Sequence, residues 1–427
     1  MEDVLLLRPK RSQRRRQRAQ AKYVFRMLHL EKILPQREET QSIRFWESSE
    51  RAVSPLPRSG HRLVTDGASL YLLGGYNPNI EEEELLRNGG VVLAASAPLF
   101  LEVWKFNIAR RVWKRLNFSG LMPPQLASHS AVMLPDNVHI VMYGGTGFPF
   151  GQNSSNALHV FNTEREEWAE VNCSDDTTAP DHLYGQGVAT YKEKFITVGG
   201  TSGHSYSADI HAFDFELRSW KKLNRTSEND FLIERYRHEI VCHDDQILLF
   251  GGGTATTVKS LQLLDVFNIE TKTWGIIRTR RDPEHGYPND RRCHSVEKFD
   301  HYAFVIAGYN GMSIFPDIWR LNLNDYSWRL LKDRIPRPVY FHASTMTEEG
   351  RLFIFGGVVD IGRIDANVRT NELFSIWITI PKLKRLAFEA VIFSSRRRIH
   401  EFSSSALLEL GIPSRYVHEL QISALGA

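Results

Sequence analysis

Cysteine is scarce in this 427-residue chain: Cys173, Cys242 and Cys293, far apart and odd in number. No two of them form a Cys-x-x-Cys pair, so the sequence supplies neither a disulfide framework nor a zinc site. A reducing compartment is the expected home, the cytoplasm first and the nucleus second. Long apolar runs are lacking too. The nearest, "VVLAASAPLFLEVW", falls short of the roughly 18 residues of a membrane helix and carries Pro98. The first residues are basic and Gln-rich, not the apolar stretch of a secretory leader. Charge of one sign is not in excess either. A net charge of +3 excludes a chain that binds polyanions along its whole surface. Catalytic signatures are missing: there is no HExxH and no GxSxG. The segment "GGGTATTVKS" lacks the Gly-Lys of a phosphate loop, and "GGTGFPFGQNSS" lacks GxGxxG spacing. The sequence therefore predicts no catalytic residue, no metal and no cofactor.

One segment departs from this balance. Arg8 to Lys22, "RPKRSQRRRQRAQAK", holds eight basic residues and no acid. Like charges at this density favour a solvated arm, 1–40, with nuclear targeting or RNA contact as the alternatives.

What the chain has in quantity is a repeat. Apolar strands stop on glycine pairs at Gly74–Gly75, Gly144–Gly145, Gly199–Gly200, Gly251–Gly252 and Gly356–Gly357, and a sixth copy reads Ala307–Gly308. Trp168, Trp220, Trp274 and Trp328 follow their pairs by 24, 21, 23 and 21 residues. Self-similarity near 50 residues, with four short strands per unit, is the signature of a kelch β-propeller. The expected fold is all-β, a six-bladed ring over 41–380, followed by a short helical segment over 381–427. Glycine at the crowded inner strand permits positive φ and close backbone approach, and tryptophan fills the space between blades.

The last copy runs out after its third strand, with Trp377 inside that strand. Trp46 stands 15 residues before His61, much as Trp328 stands 14 before His342. The strand near Arg44 to Trp46 is therefore expected to complete the last blade and remove an exposed edge. The first copy carries about 17 extra residues between Gly75 and Trp113, acidic at their start.

Before each inner strand comes a loop on one rim. His61, His129, His238, His294 and His342 hold one fixed position there, and Gln186 replaces the sixth. A histidine repeated in nearly every copy reads as structural. The residues just before it vary: Arg58, Tyr184, Arg235, Tyr236, Arg237, Arg291, Arg292 and Tyr340. Variable side chains on a fixed scaffold are candidates for recognition. Arginines and tyrosines converging on one rim favour a carboxylate or phosphate beside an apolar group. Arg235 and Arg291 are the expected carboxylate holders, and some of the arginines are expected in inter-blade ion pairs instead.

The tail changes periodicity from strand to helix. Leu383, Ala387 and Val391 fall four apart on one face, a spacing that resembles an elongin-binding box and that an ordinary amphipathic helix also shows. Further on, Ile412, Pro413, Tyr416 and Leu420 resemble the apolar-Pro-x-x-apolar-x-x-x-apolar pattern of a cullin-2 box, and the packed face of a helix would show the same spacing.

The phrases "YGGTGFPFG", "ERYRHEI", "RRCHS", "DIWRLNL", "PVYFH" and "IFGGVV" resemble the kelch-repeat substrate receptors of cullin-2 ubiquitin ligases, from about Trp46 onward. The resemblance implies a non-catalytic adaptor that binds elongin B/C and cullin-2. It would read the C-terminal tails of proteins ending in glycine or alanine and send them to proteasomal degradation. It also implies a second role, a scaffold that restrains protein phosphatase 5 and so sustains a stress-activated MAP kinase cascade. The acidic insertion and "SSRRRIHEFSSS" depart from the pattern.

Overall fold

The structure, a computed structural model, describes residues 31–33, 54–80, 99–174, 177–225, 233–359, 368–394, 399 and 402–421. Six four-stranded antiparallel sheets follow one another along the chain. Blade 1 is Arg62–Thr65, Ser69–Leu73, Val103–Asn107 and Val112–Arg115, in that order from the axis outward. Blades 2 to 5 repeat this order, starting at Ser130, Gly187, Glu239 and Ser295. Blade 6 is Ala343–Met346, Arg351–Phe355 and Leu373–Trp377, and its outermost strand is Glu31–Ile33 from the other end of the chain.

This corrects the expected closure. Ile33 opposes Leu373 and buries its side chain with Leu63, Leu72 and Trp113 in the seam between blades 6 and 1. Lys32 pairs with Glu372 at 2.5 Å, and Glu31 with Arg111 at 2.9 Å. Arg44 to Trp46 lie outside the described residues. The closing strand itself contributes one buried isoleucine and no tryptophan to this seam, so a strand sought by its tryptophan is not found there.

The strand that follows each histidine, not the strand that ends on the glycine pair, lies nearest the axis. The glycine strand is second. Its glycines are still forced, because they touch the loops of the same and the next blade. Gly251 has φ +54, and a Cβ there would stand 2.3 Å from the Arg291 carbonyl oxygen of the next blade. In blade 5 the first glycine is replaced by Ala307, which takes φ 52.

The tryptophans open the outer strands and face inward. Trp113, Trp168, Trp220 and Trp274 each oppose a phenylalanine of the third strand, with ring centroids 4.9 to 5.2 Å apart. Each sits in the cluster that joins its blade to the preceding one, as Trp168 does with Val64, Leu73 and Ile140. Removing such a ring costs about 3–5 kcal/mol.

Beyond blade 6 come three helices, α1 (Leu383–Ser394), α2 (Ser404–Glu409) and α3 (Ser414–Gln421). Ser403 caps α2 by accepting from the Ala406 amide. Phe388, Ile392, Leu407, Tyr416, Val417 and Leu420 close a small core against Ala109. An ion network joins this unit to blade 6. Arg385 reaches Glu419 at 2.5 Å, Glu349 at 3.3 Å and Glu389 at 3.5 Å, while Arg351 meets Glu389 at 3.4 Å. Glu349 and the Asn107–Ala109 turn lie at the strand ends remote from the histidine loops. The helical unit therefore occupies the face opposite that rim.

Candidate functional site

Three consecutive positions build the rim in every blade, and each does a different job. The residue directly before the histidine is Gly60, Ser128, Gly185, Arg237, Cys293 or Phe341, and all six are left-handed, with φ between 54° and 70°. Each donates its amide to the carbonyl of the same position in the preceding blade: Ser128 to Gly60, Gly185 to Ser128, Arg237 to Gly185, Cys293 to Arg237, Phe341 to Cys293, and Gly60 to Phe341. The six bonds, 2.8 to 3.1 Å, form a closed ring around the axis. That ring fixes the channel mouth.

One position earlier, Tyr184, Tyr236, Arg292 and Tyr340 pair with the residue that follows a glycine pair, and their half-buried side chains stand on the rim. One position earlier again, Arg58, Arg235 and Arg291 are buried. All three use their guanidinium in the same way. Arg58 donates to Leu56 O, Gly74 O and Glu102; Arg235 to Ile233 O, Gly251 O and Asp265; Arg291 to Asn289 O, Ala307 O and Asp317. These arginines anchor the loop to their own blade. Their donors are occupied by carboxylates already present, so Arg235 and Arg291 do not offer themselves to a ligand as expected. The ion pairs lie within blades rather than between them.

Arg237 is different. Its guanidinium lies 4.3 Å from the Phe341 ring centroid and 5.8 Å from that of Tyr236. Its buried Nε has no hydrogen-bond partner, and among the described residues no carboxylate pairs with it. Burial lowers its pKa, with Cys293, Tyr236 and Tyr184 opposing. A cation held in an aromatic setting without a counter-charge is arranged to receive an anion. Arg292 adds a second cation, steadied by Thr254 O at 2.6 Å. Arg369 adds a third, over Tyr76 at 5.5 Å.

The histidines carry no charge. Burial pushes His129, His294 and His342 down to about 3 and His61 and His238 well below their ordinary value. His61 Nε2 lies 3.1 Å from Phe355 O across the blade 6–blade 1 seam. Gln186 donates to Leu183 O at 2.9 Å, as the His129 ring does to Leu126 O at 3.1 Å. The glutamine is thus a working substitute for the histidine.

The mouth is closed below. Arg62 of blade 1 pairs with Glu239 of blade 4, on the opposite side of the axis, at 2.8 Å, and also donates to His129 O at 3.0 Å. Glu297 lies nearby, bonded by Ser344 Oγ at 2.8 Å and raised by burial to about 7. This strut makes the site blind-ended. Arg62 and Glu239 escaped the sequence reading, although each directly follows a repeat histidine. Tyr76 and Tyr309 did too, each directly following a glycine pair or its Ala-Gly equivalent.

On the opposite face, Leu383 and Val391 are 80% and 40% exposed, and Ala387 between them is also exposed. The stripe faces outward, away from the helical core. The second set divides. Tyr416 and Leu420 are 4% and 2% exposed, and Tyr416 stacks on Phe388 at 4.3 Å. Ile412 is half-buried and Pro413 exposed. Tyr416 and Leu420 are core residues of the helical unit, because the apolar spacing there marks the face that packs against α1. Among the described residues no cluster of three metal-ligating side chains occurs, and no helix is long and apolar enough to cross a membrane.

A family model described as the KLHDC2/KLHL20/DRC7 Kelch-repeats domain matches residues 60–308 and 225–404. Kelch domain-containing protein 10 of Homo sapiens and of Bos taurus are each 38% identical to this chain over 368 residues, covering 86% of it and 80% of their own length. The homolog in Drosophila melanogaster is 34% identical, covering 86% of this chain and 62% of its own. On the strength of this identity and of the repeat architecture, the chain belongs to the kelch domain-containing protein 10 family of kelch-repeat proteins.

Proposed function

We propose that this protein is the substrate-recognition subunit of a cullin-2–elongin ubiquitin ligase, binding proteins by their C-terminal carboxylate. One observation carries the reading: two surfaces of unlike chemistry stand on opposite faces of one ring. The first is a mouth floored by the Arg62–Glu239 pair, where Arg237 is a cation that no described carboxylate pairs with. The second is the exposed Leu383–Ala387–Val391 stripe on α1. A molecule so built holds one partner at the mouth and presents it to another. The carboxylate holder is Arg237, with Arg292 beside it, rather than the anchors Arg235 and Arg291.

Two measurements test it. A Gly-ended peptide as free acid should bind, and its amide should bind roughly ten- to a hundredfold more weakly, the worth of one charge-assisted bond of about 1.5–3 kcal/mol. Arg237→Ala should lose the same factor, and combining it with amidation should cost little more, because both remove one interaction. Capture of elongin C should fail for Leu383→Asp. If Leu383→Asp captures elongin C as well as the parent does, the adaptor reading is wrong, and the phosphatase-restraining scaffold, which needs only the rim, becomes the better account.

A further inference from the structure

We infer that Phe148, Phe150 and Tyr76 form a second subsite on the rim, which takes an aromatic or large aliphatic side chain of the bound peptide upstream of its terminus. The inference rests on the proposed carboxylate site at Arg237 and extends it.

Phe148 and Phe150 are 44% and 43% exposed, at the tip between the second and third strands of blade 2. Their exposure is not slack. The Gly151 amide donates to Thr146 Oγ1 at 2.9 Å, the Gly147 amide to Asn153 O at 2.8 Å, and Asn153 Nδ2 to Phe148 O at 3.1 Å. The tip is tied down, and it holds both rings out toward solvent. The equivalent tips of blades 3 and 4 are polar, Ser202–Ser205 and Thr254–Thr257, and close on their own hydroxyls. Blade 2 alone of these three presents phenyl rings.

The rings belong to a continuous surface. Phe150 meets Tyr76 of blade 1 at 4.7 Å and Phe148 at 5.9 Å, and Arg369 of blade 6 covers Tyr76. In the other direction, a Cβ at Gly151 would lie 3.8 Å from the Tyr184 hydroxyl. Tyr184 touches Tyr236 at 6.4 Å, and Tyr236 neighbours Arg237. Two aromatic groups, Tyr184–Tyr236 beside the cation and Tyr76–Phe150–Phe148 at the tip, therefore flank Gly151 on the rim. The blind floor makes a bound peptide leave the mouth sideways over the rim. An extended chain advances about 3.3–3.6 Å per residue, so a peptide crosses this span within several residues of its terminus. The side chain at that distance from the terminus meets the Phe148–Phe150 face.

The test is a double comparison on the full chain. Ten-residue Gly-ended peptides carry tryptophan or serine at each of the positions three to six before the end. At one of these positions the tryptophan peptide should bind the parent protein about tenfold tighter than its serine partner. Phe150→Ser, or Phe148→Ser as a second variant, should reduce that advantage to less than about twofold. Each should leave the thermal midpoint unchanged and the effect of amidation intact in the same variant. An advantage that survives both substitutions, or no advantage at any position while amidation still weakens binding, overturns the subsite and leaves the carboxylate site standing. If acid and amide bind alike, the carboxylate site fails, and the subsite stands only if Phe150→Ser still removes the tryptophan preference.

Discussion

Arg235 and Arg237 lie two residues apart in "RYRHE", and the fold gives them opposite duties. Arg235 is buried against Asp265, and Arg291 repeats the arrangement with Asp317. Arg235→Ala or Arg291→Ala leaves a carboxylate without its partner and should destabilise the protein by about 3 kcal/mol in urea unfolding. Arg237→Ala breaks no ion pair and should stay within about 1 kcal/mol of the parent. A residue count could not separate these arginines. Both are basic, both stand on the same loop, and only the left-handed turn at Arg237 decides which one points inward. The repeat histidines were legible as structural because a function would not be needed in five of six copies. Their burial has a pH signature. His129, His294 and His342 stay neutral in the folded protein down to about pH 3, while the unfolded chain takes protons below about 6.5. The unfolded state binds more protons in that window, so stability falls as pH drops through it, by up to about 1.4 kcal/mol per pH unit per histidine. His129→Gln copies Gln186 and should flatten the slope by one such increment while costing little at pH 7.5. Glu297 has the opposite sign. Its folded pKa is raised to about 7, so its contribution is present below the usual carboxylate range and lost as pH rises through 7. Glu297→Gln should therefore stabilise the protein at pH 8, by roughly 2 kcal/mol, and do nothing at pH 4. Unfolding midpoints across the pH range check both variants.

At the scale of elements, the repeat could be read almost strand for strand, because glycine pairs and tryptophans mark fixed places in each sheet. The closing strand could not. Glu31–Ile33 is three residues long, carries no tryptophan, and owes its place to one buried side chain and two surface ion pairs. Nothing so short has a periodicity to detect. Its consequence can be measured. A chain starting after Ile33 lacks the outermost strand of blade 6 and should expose the Leu373–Trp377 edge, with a lower thermal midpoint and light scattering on warming. Ile33→Ala in the full chain should cost about 2–4 kcal/mol without the scattering, since the backbone edge stays covered. The helical tail was half legible for a similar reason. Spacing of four finds a face of a helix, and it found one at Leu383 and another at Tyr416. Which face turns outward depends on what the helix packs against, and the ring of Phe388 under Tyr416 settles that in space, not in sequence.

In the whole molecule, the helical unit and the mouth are separated by the length of the inner strands and joined by a rigid ring. Arg385 is the central ion of the network that fastens the helices to blade 6. It is buried among Glu349 of the blade 6 turn, Glu389 of its own helix and Glu419 of α3. Arg385→Met would leave three carboxylates close together with Arg351 and Arg415 as the remaining cations. Repulsion among them should loosen α1 to α3 from blade 6. Hydrogen exchange should then rise across 383–421, while the six ring amides of Gly60, Ser128, Gly185, Arg237, Cys293 and Phe341 keep their protection, because the ring closes without the helices. Peptide affinity at the mouth should be unchanged, and capture of elongin C should weaken although Leu383 is intact. That combination would show that the helical face needs a clamped orientation and not merely an exposed leucine. If exchange rises in the helices and elongin capture is unaffected, the stripe works as a free helix. The ion network would then serve stability alone, and the two faces of the ring would be independent.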